Sequence, residues 1–241
     1  MKLLVWTPII YSRKGFPRDE KQNPYIPGKI IKEAIESSLI YYYIKKDKEI
    51  ENKVKTYLLK KGLDPEEVIE EIKNIIYKKY ALIKDIHIPE KILLNQEEIV
   101  QEYAEVLDLR TWEDVESFKV EVYKGIVDLD LEEDFVKKFK SAGHSYCEAL
   151  VKLEKNMLKE HPLAEKFYEK LLNELKKWEM PLRLGMWTEV KYKGNLLFFW
   201  RIKEVREHFQ KEYRINITPE KVIYLPREKV TTGWCEIKVD L

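Results

Sequence analysis

The stretch PYIPGKIIKEAI, residues 24–35, joins an irregular basic loop to a helix. Pro27 and Gly28 punctuate the chain, and from Lys29 onward the apolar positions Ile31, Ile35, Leu39 and Tyr42 or Tyr43 recur at helical spacing. A helix start leaves backbone amides without intrahelical acceptors, so Lys29 and Lys32 beside it suit a phosphate. Upstream, residues 11–28 also hold Gly15, Pro17 and Pro24, which marks an irregular connection. Before it, KLLVW at 2–6 is a continuous apolar run ended by Thr7-Pro8, as expected of a buried strand stopped by a residue that cannot donate to a ladder.

Downstream, residues 49–110 read as two or three further helices, broken at Gly62-Leu63-Asp64-Pro65 and near Pro89, with Asp64 placed as a cap and Pro65 in the first turn. Val68, Ile72, Ile75 and Ile76 make one apolar face of the kind that packs against a core. Residues 118–131, FKVEVYKGIVDLDL, alternate apolar and polar on both sides of Gly125, which predicts one kinked strand or a hairpin. Asp130, with Glu133 three positions on, is expected to cap a helix opening at Leu131-Glu132, and acids at a helix start account for this cluster without a metal. Residues 144–179 are again helical, with a break at His161-Pro162. An apolar strand at 195–200, a helix near 203–213 and an alternating strand at 234–239 complete the chain.

At 241 residues the chain can form one large domain or two small ones. Charged residues make up 36% and apolar residues 44%, with only 8 Gly and 10 Pro, a balance that disordered and collagenous chains do not show. Two cysteines, Cys147 and Cys235, are too few for a disulfide framework or a four-cysteine zinc site and fit a reducing, cytoplasmic setting. No run of 18 apolar residues occurs, and the N-terminal stretch lacks a small-residue cleavage site, so no membrane partner is expected.

The net charge of +1 conceals an uneven distribution. Residues 1–32 carry 7 Lys or Arg against 2 acids, residues 181–241 carry 12 against 8, and the middle carries 25 against 33. Two basic ends that meet in space would form a cationic surface beside an acidic one. Such counts also arise from ordinary solvated charges.

Several chemistries have no support. His87, His144, His161 and His208 have no second histidine at metal-ligand spacing, and Cys147 with His144 alone does not make a zinc set. No nucleophile elbow, phosphate-binding glycine loop, dinucleotide fingerprint or zincin helix is present. No catalytic residue, metal or cofactor is therefore predicted.

Three stretches occur in a fixed order: PYIPGKIIKEAI at 24–35, LRLG at 182–185 and the terminal YLPREKVTTGWCEIKV. The first resembles the Y-I-P-G-S-S-x-K-G-A-x-R signature of the RAMP superfamily, the RNA-binding subunits of CRISPR effector complexes. The second resembles the start of its glycine-rich loop. The third resembles the P-x-T-R … G-W-V-K-L ending of the subunits that cap the crRNA end in type III-A complexes, and HSYCEALVKLEKNMLKEHPLAEKFYEKLLNEL is similar to their long helical segment. Tyr25, Ile26, Pro27, Gly28, Lys32 and Ala34 match the first signature directly, whereas Glu33 and Glu36 stand where it has glycine and arginine. The glycine-rich loop keeps Gly185 and continues as Met186-Trp187-Thr188, and the usual T-P-x-H-I-G start is Thr7-Pro8-Ile9-Ile10-Tyr11-Ser12.

The resemblance implies an α+β fold, with a ferredoxin-like, RRM-like sheet and a helical insertion at about 45–117, in a single domain that is helix-rich overall. It implies a non-catalytic subunit that binds the 3′ part of a crRNA and caps the filament of backbone subunits, its partners being crRNA and the other subunits of a type III effector. The residues implied in RNA binding are Tyr25, Gly28, Lys29, Lys32, Arg183, Gly185, Trp187, Lys191 and Arg227. Gly185 next to Arg183 would let backbone approach a ribose-phosphate chain, and Tyr25, Trp187 and Tyr192 would stack on splayed bases. Core or rim packing is the alternative for Tyr25 and Trp187, evenly balanced with stacking at Trp187, and Arg227 also suits an acidic neighbour. Two other roles remain open: a structural adaptor, which Glu33 and Glu36 favour, and a crRNA-processing endonuclease, whose histidine base is missing from residues 1–86.

Overall fold

A computed structural model describes residues 1–64, 67–80, 87–186, 202–214 and 220–239. The predicted first strand is β1 (Lys2–Val5), and it lies inside an antiparallel sheet. It pairs on one side with β6 (Ile126–Asp128) and on the other with β10 (Trp234–Lys238), which in turn pairs with β7 (Met180–Arg183). Leu3 sits opposite both Val127 and Ile237, so the two ends of the chain share one sheet. The helices α1 (Gly28–Lys46) and α4 (Glu133–Met157) pack on each other, with the Tyr41 and Tyr146 rings 5.8 Å apart, and α4 also packs on β7. Leu3, Ile35, Leu39, Cys147, Leu150, Leu182 and Ile237 belong to this main core.

The helices expected after α1 include α2 (Lys48–Leu58) and α3 (Val68–Tyr77), whose apolar face buries Val68, Ile72 and Ile76. Pro65 lies outside the described residues. Beyond Pro89 the expected helical insertion gives way to strands: β3 (Lys91–Leu93), β4 (Ile99–Asp108) and β5 (Asp114–Tyr123). The sequence IVQEYAEVLD satisfies helical spacing as well as alternation, and pairing with FKVEV decides between them. Val100 faces Val122 and Glu102 faces Val120 across the hairpin.

This hairpin continues into β8 (Lys221–Leu225) and β9 (Val230–Thr231), giving a second antiparallel sheet in the order β5-β4-β8-β9. A small separate core of Ile10, Ala104, Val120, Val122, Ile223 and Leu225 covers one face of it. At Lys124-Gly125 the chain leaves this sheet and enters the first one as β6, so the 118–131 stretch is two strands in two sheets.

Asp130 is not the cap of α4. The helix opens at Glu133 behind Glu132, and no side chain caps it. The predicted break at His161-Pro162 separates α4 from one π-helical turn at Ala164–Tyr168 that leads into α5 (Glu169–Leu175). The predicted helix near 203–213 is α6 (Lys203–Tyr213), whereas the predicted strand at 195–200 lies outside the described residues. Cys147 and Cys235 are free and buried. No helix among the described residues is long and apolar enough to cross a membrane.

Candidate nucleic-acid interface

The Pro-Gly turn is a short strand, β2 (Tyr25–Pro27), and β3 pairs with it antiparallel. Tyr25 sits opposite Leu93 and Pro27 opposite Lys91, so these four share a face, while Ile26 and Ile92 turn inward together. On the outer face Leu93 is 57% exposed, and the Lys91 ammonium lies 5.5 Å from the centre of the half-buried Tyr25 ring. Gly28 opens α1 directly behind this ribbon, and its amide donates to the Glu90 carbonyl at 2.9 Å. A β-carbon at Gly28 would stand 1.9 Å from the Pro89 carbonyl oxygen, so only glycine lets the helix start so close to β3.

The first turn of α1 has no side-chain cap and no acid, and Lys29 projects from it into solvent. Lys32 is half-buried one turn on. The two glutamates that depart from the RAMP signature have partners: Glu33 lies 3.6 Å from Lys29, and Glu36 accepts from Lys73 at 3.1 Å and from the Tyr77 hydroxyl at 3.2 Å. Glu36 is thus committed to α3, not to the solvent side of α1. Burial pushes the Tyr77 hydroxyl well above its usual range, and the Glu36 carboxylate adds to that.

Arg183 is elsewhere, and it is not a surface cation. Its guanidinium is buried, bonded to the Glu154 carboxylate, with Nε donating to the Thr232 carbonyl at 3.2 Å and the Trp234 ring 4.4 Å away. Burial works to lower its pKa, but the Glu154 carboxylate, with the Tyr168 and Tyr146 hydroxyls, offsets that, so the net shift is upward. Glu154 also accepts from the Tyr168 hydroxyl at 2.8 Å, which completes a closed polar network. No phosphate can reach this arginine without opening the core.

Gly185 is occupied by the chain itself. It has φ +102°, and a β-carbon there would approach the Ile10 carbonyl oxygen at 2.5 Å. Leu184 donates to the Gly233 carbonyl, Gly233 to the Pro8 carbonyl, and the Trp234 amide to the Thr7 hydroxyl, at 2.7, 2.9 and 2.9 Å. The Thr-Pro start, the glycine loop and the Gly-Trp ending therefore meet in one junction inside the fold. Arg227, in the turn between β8 and β9, is exposed and lies 3.3 Å from Glu102, the acidic neighbour anticipated for it. Trp187, Lys191 and Tyr192 lie outside the described residues.

Of the predicted residues, the structure brings together Tyr25, Gly28, Lys29 and Lys32, and adds Lys91 and Leu93. Those two were missed because 45–117 read as helical. The signal was the short apolar run KILL between Pro89 and Asn95. The basic loop before β2 contributes less than its charge suggests. Arg13 is bonded to Glu116, and Arg18 lies 3.1 Å from Glu121. Chemically, the ribbon offers an aromatic face, an aliphatic neighbour, flanking ammonium groups and a helix start without a side-chain cap, a set suited to a single strand's bases and phosphates.

No protein-family model matches the chain. An uncharacterized protein of Aquifex aeolicus (strain VF5) is 41% identical over 242 residues, covering all of both chains. Among solved structures, a chain of a Csm-crRNA-target RNA ternary complex from a type III-A CRISPR-Cas system is similar with a TM-score of 0.56 at 14% identity, over 97% of this chain and 79% of that one. The crystal structure of T. onnurineus Csm5 aligns with a TM-score of 0.45 at 13% identity, over 91% of this chain and 72% of that one. The chain belongs to one family with the Aquifex aeolicus protein, and its fold is similar to that of a chain of the Csm-crRNA-target RNA complex.

Proposed function

We propose that the chain is a non-catalytic, cytoplasmic subunit of a type III CRISPR interference complex, that it holds the 3′ part of the crRNA, and that it caps the row of backbone subunits. The observation that carries this reading is the β2–β3 ribbon in a Csm-like fold, with Tyr25, Lys91 and Leu93 outward beside the uncapped start of α1. A ferredoxin-like descent of the sheet β6-β1-β10-β7 belongs to the same proposal. Its support is an antiparallel four-stranded sheet backed by two long helices. The absence of a histidine from residues 1–86 supports a holding role over cleavage.

Fluorescence polarisation of a repeat-plus-spacer RNA at 50 and 200 mM salt tests the reading, with wild type compared with a Lys29→Ala, Lys32→Ala, Lys91→Ala variant. Binding that weakens steeply with salt, and whose salt slope falls by about one for each phosphate contact removed, is expected. Equal binding by both proteins would move the site off the ribbon. The adaptor reading is favoured by one observation, the commitment of Glu36 to Lys73 and Tyr77, which puts an internally paired carboxylate where the RAMP signature has its arginine. It predicts no RNA binding by either protein and retention of the chain in the assembled complex.

A further inference from the structure

On the row where β6, β1 and β10 lie side by side, Ile126, Leu4 and Glu236 are opposite one another and so point to the same face of the sheet. A pocket of about 240 Å³ opens there, with Trp6, Trp178 and Lys124 completing its wall. Its walls are apolar and aromatic. Trp6 is held from behind by Phe167, with ring centres 6.1 Å apart and nearly parallel, and Trp178 meets it edge-on at 5.6 Å. Ile126, at the mouth, is 51% exposed, so the pocket is reached from solvent.

The polar group in this pocket is a carboxylate that the fold only half uses. Glu236 is 8% exposed, and its Oε1 accepts from the Glu179 amide at 2.7 Å. Its Oε2 accepts no hydrogen bond among the described residues. Oε2 is not buried, so it is an accessible acceptor in an otherwise apolar wall, and a ligand that brings N–H donors would engage it. At the rim, Lys124 pairs with the exposed Glu228 at 3.1 Å, a weak surface pair that an anion can displace. A ligand fitted to these features is flat, has N–H donors on one edge and carries a negative charge a few ångströms away.

We infer that this pocket receives a single guanine base of the bound RNA strand. Guanine presents two adjacent N–H donors to a carboxylate, its ring fills a slot between aromatic and aliphatic walls, and its phosphate falls toward Lys124. Uracil has one such donor flanked by carbonyl oxygens, which the Glu236 carboxylate repels. The inference rests on the RNA-holding reading for the source of the base, but the site is separate from the β2–β3 ribbon.

Two measurements test it. Oligouridine carrying one central guanosine, inosine or uridine is titrated by fluorescence polarisation, and 5′-GMP, 5′-UMP and N-acetyl-arginine amide are titrated against intrinsic tryptophan fluorescence. The expected result is at least about a tenfold preference for the guanosine oligomer, with inosine intermediate, and saturable quenching by 5′-GMP alone. Glu236→Gln keeps an acceptor for the Glu179 amide but turns a donor into the pocket, and it should abolish the preference with the fold intact. Ile126→Glu, at an exposed position, should block both signals at the mouth.

Salt-sensitive binding of all three oligomers with equal affinity, and no quenching by 5′-GMP, would overturn the pocket assignment and leave the ribbon reading standing. Quenching by 5′-GMP that Glu236→Gln removes, with no oligomer bound at either salt, would support the pocket and overturn the RNA-holding role. Quenching by the arginine derivative in place of 5′-GMP would overturn the assignment in favour of a partner protein's arginine.

Discussion

The turn at 27–32 and the loop at 183–185 each place a glycine near a cation, and their surroundings give opposite results. At the first, Gly28 brings α1 against Pro89, and Lys29 is left in solvent. At the second, Gly185 brings the loop against Ile10, and Arg183 is drawn into the core by Glu154. The local sequences are alike in chemistry, so the difference comes from a carboxylate on α4 that is distant in the chain. A cation beside a glycine is a phosphate site only when no buried acid lies within its reach. The second region is better understood as the joint where three chain segments lock together.

The largest expected effect breaks that joint. Arg183→Ala leaves Glu154 charged and unpaired in the core, and the destabilisation should be about 3–5 kcal/mol in chemical denaturation. Replacing the pair with apolar residues, Arg183→Met with Glu154→Leu, should recover at least half of that, because neither charge is then buried alone. If Arg183→Ala instead weakened RNA binding without loss of stability, the contrast between the two regions would fail.

The two glycines sharpen the contrast next. Gly28→Ala and Gly185→Ala should each cost about 1–3 kcal/mol, the first through a clash with the Pro89 carbonyl and the second through both the Ile10 carbonyl and a positive φ. Only Gly28→Ala should also lower RNA affinity, since it pushes β3, with Lys91 and Leu93, away from Tyr25. Denaturation and polarisation measured on the same preparations separate the two outcomes.

How much of this was legible in the sequence follows the same division. Elements whose type is set by their own local pattern were readable: the apolar run of β1, the Pro-Gly opening of α1, the Ile and Val face of α3 and the final strand. Residues whose state depends on a remote element were not. IVQEYAEVLD becomes a strand because β5 and β8 flank it, and Arg183 is internal because Glu154 is opposite. The ordered motifs pointed to a Csm-like fold for a physical reason, since Thr7, Pro8, Leu184, Gly233 and Trp234 hydrogen-bond one another in a single junction. That junction needs those residues whether or not it touches RNA.

The glutamates that depart from the RAMP signature test the first region by itself. Glu36 is nearly enclosed between α1 and α3, so Glu36→Gln should cost about 1–2 kcal/mol and speed amide exchange in α3, with RNA affinity unchanged. Glu33 is exposed and merely shadows Lys29. Glu33→Gln should leave stability within about 0.5 kcal/mol and raise RNA affinity about twofold at low salt, because one like charge is removed from beside the phosphate. A larger gain from Glu36→Gln than from Glu33→Gln would mean that the strand runs along α3 and not along the ribbon.

The smallest expected effect is a pH dependence, and it contrasts a partly buried ion pair with the fully buried one at Arg183. Asp47 caps α2, accepting from the Glu49 and Ile50 amides, and binds Lys79 at 2.8 Å and the Tyr80 hydroxyl at 2.7 Å. The hydrogen bond from Lys79, then that from Tyr80, holds its carboxyl well below the usual aspartate range. A carboxyl depressed on folding adds stability above its unfolded pKa and loses it as pH falls through the folded value. Wild type should therefore lose stability progressively below about pH 4, and Asp47→Asn, which cannot titrate, should show a shallower decline over that range. Thermal unfolding from pH 6 down to pH 2 makes the comparison. Parallel curves for the two proteins would mean that the α1–α2–α3 corner is held by its apolar face alone, with Asp47 acting only as a cap.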